Sequence, residues 1–143
     1  MFIKQVSIFI ENKSGKIADV IGVLGDNGID ISALSIADTT DFGIVRLITS
    51  DAEKSVKVLK EYGAIVKVTE VIGVGVSDTP GGLAKVLRLL KESGVEIDYM
   101  YAFVGKSDKG ALGVMKVSEP QKAAECFEKN NITTISAGDI YRI

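Results

Sequence analysis

The chain of 143 residues contains no histidine. This removes the commonest general base and the commonest metal ligand, so no Ser–His, Cys–His or histidine–metal constellation can be built. A single cysteine, Cys126, excludes an internal disulfide and a thiolate cluster. It falls in a helical pattern with Ala123, Ala124 and Phe127 and reads as a small buried apolar residue. There is no excess of positive charge: the net charge is −2, with 8 basic and 10 acidic residues in Met1–Ile72 and 9 of each in Gly73–Ile143. Neither half is drawn to a phosphate backbone, so nucleic acid is not an expected partner. No apolar run approaches bilayer-spanning length and no basic-then-apolar signal opens the chain. The expectation is a soluble, cytoplasmic protein with no membrane partner. No defensible paired-carboxylate pocket or glycine-rich phosphate loop with its lysine is present, so the expectation is also no enzyme and no cofactor or metal.

What is present is a stretch that occurs twice. Ile10-Glu11-Asn12-Lys13-Ser14-Gly15-Lys16-Ile17 returns as Val76-Ser77-Asp78-Thr79-Pro80-Gly81-Gly82-Leu83. Each copy ends an alternating apolar run, carries a short polar residue and then a glycine, and opens a helical pattern. Beyond the glycines Ala18 matches Ala84, Val20 Val86, Leu24 Leu90, Gly28 Gly94 and Ile31 Ile97. One small unit has been built twice.

In the first copy, Ile3 to Glu11 alternates and predicts a strand with Val6, Ile8 and Ile10 on its buried face. Ile17, Val20, Ile21 and Leu24 recur at helical spacing as far as Asp26-Asn27-Gly28. Strands follow from Ile29 to about Ala37 and from Gly43 to Thr49, the latter apolar enough to be central. Ser50 and Glu53 fit a capping box for a helix that stops at Tyr62-Gly63, and Ile65–Ile72 is a fourth strand. The second copy repeats the order: Val71–Val76, a helix through Leu83, Val86, Leu87 and Leu90, Glu96–Val104, Ala111–Val117, a helix opened by a Ser118/Gln121 box, and Thr134–Tyr141. This is the split βαβ order. The predicted fold is α+β: two ferredoxin-like βαββαβ repeats with antiparallel sheets, residues 1–72 and 73–143, packed as one body. No polar linker divides them, and Gly73 and Gly75 are the expected bending points.

The repeated turn brings a strand end, a glycine and a helix start together. Unpaired N–H groups and the helix dipole make such a point receptive to a carboxylate, and glycine lets a ligand approach the backbone. Asp30 and Glu96, opening the second strands, are expected a few ångströms away, where a carboxylate would receive an ammonium group. A second reading stands beside this one: Asn, Asp, Ser and Gly before a helix are ordinary capping residues. Lys16 is likewise either a contact or a solvated helix-start residue. Tyr99 and Tyr101, with Phe103 after them, either pack on a sheet or form a lid over a ligand.

Glu11-Asn12-Lys13-Ser14-Gly15-Lys16-Ile17 with Gly28-Ile29-Asp30-Ile31-Ser32-Ala33-Leu34 resembles the signature of ACT domains. So does Asp78-Thr79-Pro80-Gly81-Gly82-Leu83 with Gly94-Val95-Glu96-Ile97-Asp98. The resemblance covers essentially the whole chain and is to small tandem-ACT proteins that stand without an attached enzyme. It implies non-catalytic regulatory units of βαββαβ order that bind amino acids, usually at an interface between two ACT domains. By resemblance the ligand-binding set is Asn12, Ser14, Gly15, Lys16, Ile17, Asp30, Ile31 and Ser32 in the first copy. In the second it is Asp78, Pro80, Gly81, Leu83, Glu96 and Tyr99. Related serine-sensing domains use asparagine where Asn12 stands and again where this chain has Asp30; the second copy has Asp78 and Glu96 at those places, so the first copy matches better. Pro80 fits the proline usual in the family, and Ser14 departs from it.

The expected function is an allosteric module regulated by a free amino acid, acting on a partner such as a biosynthetic enzyme. The alternative is an obligate regulatory subunit, as in the small subunit of acetolactate synthase. An RNA-binding sheet of the same order would need aromatics on its central strands, and Ile44–Thr49 and Ala111–Val117 have none. Phe9 and Leu34 are expected on the strand faces away from the helices, and their burial would favour a homodimer.

Overall fold

The computed structural model describes residues 2–11, 15–38, 41–104 and 110–140. The elements are β1 (Phe2–Glu11), α1 (Lys16–Asp26), β2 (Ile31–Asp38), β3 (Phe42–Thr49), α2 (Ala52–Tyr62), β4 (Ile65–Val76), α3 (Gly82–Glu92), β5 (Ile97–Ala102), β6 (Ala111–Val117), α4 (Pro120–Lys129), β7 (Thr134–Ile135) and α5 (Ala137–Ile140). Two compact units result: Lys4–Thr69, and Met1–Ile3 together with Glu70–Ile143. Two βαββαβ repeats with antiparallel sheets give the α+β class read from the periodicities.

In the first unit β3 lies between β2 and β1, antiparallel to both. Period two sends Val6, Ile8 and Ile10 of β1 to the helix side with Val45 and Leu47 of β3. There they meet Val20 and Leu24 of α1 and Val58 and Leu59 of α2. Each such side chain taken fully out of water contributes about 1.5–3 kcal/mol before entropy is counted. Phe9 pairs with Ile44 on the opposite face, as expected. Leu34 does not: it pairs with Leu47 and therefore shares the helix side. It is still 38% exposed, because β2 is the outer strand of this sheet.

The second unit has the strand order β5-β6-β4-β7. Ile72, Val74, Val76, Met115 and Val117 supply the helix-facing side, against Val86, Leu90, Ala123 and Phe127. Cys126 is buried, as expected, and accepts a hydrogen bond from Ser93 Oγ at 3.2 Å. The expected long closing strand is replaced by the two residues of β7. Ser136 and Asp139 stop it: Ser136 Oγ donates to Asp139 Oδ2 at 2.9 Å and accepts from Asp139 N–H at 3.3 Å, starting α5. Tyr141 lies outside the described residues. β4 includes Gly73 and Gly75 within one continuous strand. Gly73 serves close packing, since a Cβ there would stand 2.6 Å from Ile3 Cδ1.

The two expected capping boxes are not formed by Ser50 and Ser118. Asp51 caps α2, its carboxylate accepting from Lys54 N–H at 3.0 Å, and α4 starts at Glu119 without a side-chain cap. The serines do something else, and do it twice. Asp30 N–H donates to Ser50 Oγ at 3.0 Å while Ser50 N–H donates to the Asp30 carbonyl at 2.9 Å. Glu96 and Ser118 repeat this two-way clasp at the same two distances.

Candidate functional site

Both repeated turns reach the helix through a left-handed glycine, Gly15 at φ 80° and ψ −7° and Gly81 at φ 86° and ψ −6°. Only glycine adopts this conformation without strain, which explains why it recurs at the matched position. Neither helix receives a side-chain cap among the described residues. Asp78 is exposed in its turn, so the capping role open to it on sequence is not taken. Among the described residues the first-turn amides of α1 and α3 therefore have no side-chain acceptor of the kind that Asp51 gives α2, and they carry the positive end of the dipole.

From these matching starts the two repeats diverge. Lys16, the first residue of α1, is half-buried, with its ammonium 5.3 Å from the centroid of the Tyr62 ring at the end of α2. A cleft of about 220 Å³ opens beside this pair, between the end of β1, the start of α1 and the α2–β4 corner. At the matching position of α3 stands Gly82, where a Cβ would fall on the Ser77 carbonyl oxygen. The second turn is also tied by a 2.9 Å hydrogen bond between the Ser77 and Thr79 hydroxyls and by Gly82 N–H donating to the Thr79 carbonyl at 3.0 Å.

The remaining sequence-derived candidates are scattered. Asn12 and Ser14 lie outside the described residues. Ile17 is 38% exposed on the first turn of α1, Leu83 is 42% exposed on that of α3, and Pro80 is exposed beside Gly81. Asp30 and Glu96 are not near the turns of their own repeats. Glu11 at the end of β1 is level with Phe42, whereas Ile31 is level with Thr49, seven residues along β3 and about 23 Å away. In the second repeat Val76 is level with Ala111 and Ile97 with Val117, six residues and roughly 20 Å apart. The expected few-ångström pairing of turn and acid fails because β1 and β2 start at the same end of the sheet. Asp30 Oδ1 accepts from Ile31 N–H at 3.0 Å; Ile31 packs against the core, and Ser32 sits in an irregular step of the β2–β3 pairing. Tyr99 is level with Lys116 and lies toward the Glu96 end of β5, away from the Gly81 turn.

Tyr62 was missed as a site residue by sequence reasoning. Locally it is just the last residue before a left-handed glycine, Gly63, and nothing in the periodicity places it beside Lys16. Among the described residues no three His, Cys, Asp or Glu side chains gather to hold a metal, and no helix is long and apolar enough to cross a membrane.

Compared with known proteins, the chain matches the family model of the ACT domain pair over residues 1–143. No curated protein sequence matches it. Among solved structures, that of protein BT0572 from Bacteroides thetaiotaomicron is 40% identical, with a TM-score of 0.92 covering 100% of this chain and 98% of that one. The ligand-free regulatory subunit of aspartate kinase from Thermus thermophilus is 16% identical, with a TM-score of 0.65 over 90% of each chain. The corresponding subunit from Thermus flavus is 16% identical at 0.59, over 88% of this chain and 90% of that one. At such identity the two Thermus structures show a shared fold alone. With a family model matched from end to end and the βαββαβ unit present twice, the chain belongs to the ACT domain pairs, a family of regulatory amino-acid-binding modules.

Proposed function

We propose that this chain is a non-catalytic sensor of a free amino acid, with the effector held at the first strand–helix turn. The observation that carries the reading is the helix start behind a left-handed glycine, without a side-chain cap among the described residues, present twice in a member of this family. The contacts proposed are Asn12, Ser14, Gly15, Lys16 and Ile17 in the first repeat and Asp78, Pro80, Gly81 and Leu83 in the second. Asp30, Ile31, Ser32, Glu96 and Tyr99 would serve an effector held by a neighbouring ACT domain rather than by their own turn. A homodimer supplies that neighbour, and the exposure of Leu34 at 38% and Ile36 at 47% on the outer strand β2 supports it. Binding changes a regulated process only if two states of the module hold the effector differently, so the protein works through a partner, proposed to be a cytoplasmic biosynthetic enzyme.

The test is thermal unfolding of the protein against every free amino acid. Effector at about a hundred times its dissociation constant adds about 2.7 kcal/mol, a rise of roughly 5–10 °C for a chain of this size. A rise with one or a few amino acids is the expected outcome, and a flat panel rejects sensing. A second reading is a dedicated regulatory subunit, of the acetolactate synthase kind or like the Thermus aspartate kinase subunits whose fold it shares. That reading expects a stable enzyme complex in a pull-down.

A further inference from the structure

We propose that the first half of β4, residues 65–70, is a docking edge for the same stretch of a second copy of this chain. The two strands run antiparallel about a twofold axis through Val68. The proposal stands apart from the sensing reading and uses a different edge from that of the outer strand β2.

The two halves of β4 differ in their neighbours. β6 pairs with residues 72–76, and β7 with Gly73 and Val74. Residues 65–70 are left with β1, whose end, Ile10 and Glu11, borders the same cleft as Ala64 and Ile65. No other described strand pairs with β4, so among the described residues the second edge of this half is open. None of residues 65–70 is buried, whereas the four that follow all are. Natural sheets blunt an open edge with charge, proline, a bulge or a covering element. Here Lys67 and Glu70 carry opposite charges, and Ile65 and Val68 stay 69% and 42% exposed. Such an edge is a template for another strand.

The side chains say which strand fits. Val66 packs on the helix-side core, so Val68, two residues on, faces the same way. Val68 borders a groove of about 410 Å³ with Ala52 and Val56 of α2, rimmed by Lys4 and Glu53. Lys4 Nζ and Glu53 Oε1 stand 4.0 Å apart, so the rim is neutral and the apolar floor selects what docks. The occupant must be extended, bring an apolar side chain over that floor and carry charges of both signs. The chain's own residues 65–70 meet each condition. A twofold axis at Val68 sets it against the partner's Val68 and joins the two apolar floors. Lys67 then lies opposite the partner's Thr69 and one residue from the partner's Glu70, so unlike charges are neighbours. An axis centred on Lys67 would instead set two ammonium groups opposite each other, which fixes the register. The paired stretch, residues 66–70, spans about 17 Å, the usual length of a strand. β1 already holds these residues extended, so docking costs little ordering.

Oxidative cross-linking of the full chain carrying one added cysteine tests this, with the unaltered chain and its buried Cys126 as the background. Val68→Cys should form a disulfide-linked dimer. Opposite residues of antiparallel strands lie about 4.5–5.5 Å apart at Cα, and a disulfide spans about 4.4–6.8 Å. Ile65→Cys should not, because the matching residue of the partner lies roughly 20 Å along the strand. Val68→Lys, shown folded by its melting curve, should raise the dimer dissociation constant in sedimentation about tenfold or more. It sets like charges opposite each other and removes an apolar contact. The docking edge is overturned by no dimer from Val68→Cys, by equal yields from Val68→Cys and Ile65→Cys, or by Val68→Lys sedimenting as the unaltered chain does. None of these results touches amino-acid sensing, which stands or falls on the thermal panel.

Discussion

The starts of α1 and α3 share a sequence pattern, a glycine conformation within a few degrees and the absence of a side-chain cap among the described residues. One residue later they part. The first repeat places a lysine there, whose charge leans on Tyr62 beside an open cleft; the second places a glycine, and its turn closes onto the space. A duplicated backbone has thus kept its geometry while its side chains specialised. The same happens at the second helix of each repeat, where Asp51 caps α2 and the matching Glu119 makes no cap for α4. The added methylene of glutamate leaves its carboxylate poorly placed for the amide that aspartate reaches.

The comparison can be broken first at Gly82. Gly82→Ala should cost about 1–3 kcal/mol, because the methyl group meets a backbone carbonyl that cannot swing aside as a side chain would. Lys16→Ala at the matched position should cost below about 1 kcal/mol, the value of an exposed cation–π contact. Urea denaturation of both variants measures the contrast, and equal losses would mean that the two turns are alike after all. A smaller effect separates the second helices: Asp51→Ala should lose about 1 kcal/mol and Glu119→Ala only a few tenths, read from denaturation midpoints at constant slope. If Glu119→Ala proves as costly, that residue caps its helix in solution. A last pair of variants tests sameness rather than difference. Ser50→Ala and Ser118→Ala should each lose about 0.5 kcal/mol, since the exposed amides of Asp30 and Glu96 can turn to water. Unequal losses would show that the two clasps differ in strength.

Much of the fold was legible because its signals are local. Val6, Ile8 and Ile10 alternate, Val20 and Leu24 recur one helical turn apart, and each set appears in the core of its unit. Doubling of the pattern made the reading firmer than either copy alone. The errors came where two local signals compete. Ser50 and Ser118 looked like caps, yet an acidic residue follows each, and a serine beside a strand end can bond across to another strand. Thr134–Tyr141 looked like a strand, but Ser136 and Asp139 at capping-box spacing started a short helix instead. Leu34 was assigned to the wrong face because an irregular step between Ile31 and Ala33 shifts the register of β2.

Of the candidate site, the glycines and the helix starts were legible, since a left-handed turn before a helix leaves its mark within a few residues. The identity of the family was legible for the same reason. The cleft itself was not. Lys16 and Tyr62 are forty-six positions apart in the chain and meet because α1 and α2 pack on one sheet, and Asp30 is distant from Gly15 because β1 and β2 run parallel. Periodicity and turn chemistry determined which elements form, since these act over a few residues. Which side chains share a space was decided by strand order, register and helix packing, which are long-range choices that no short stretch of sequence contains.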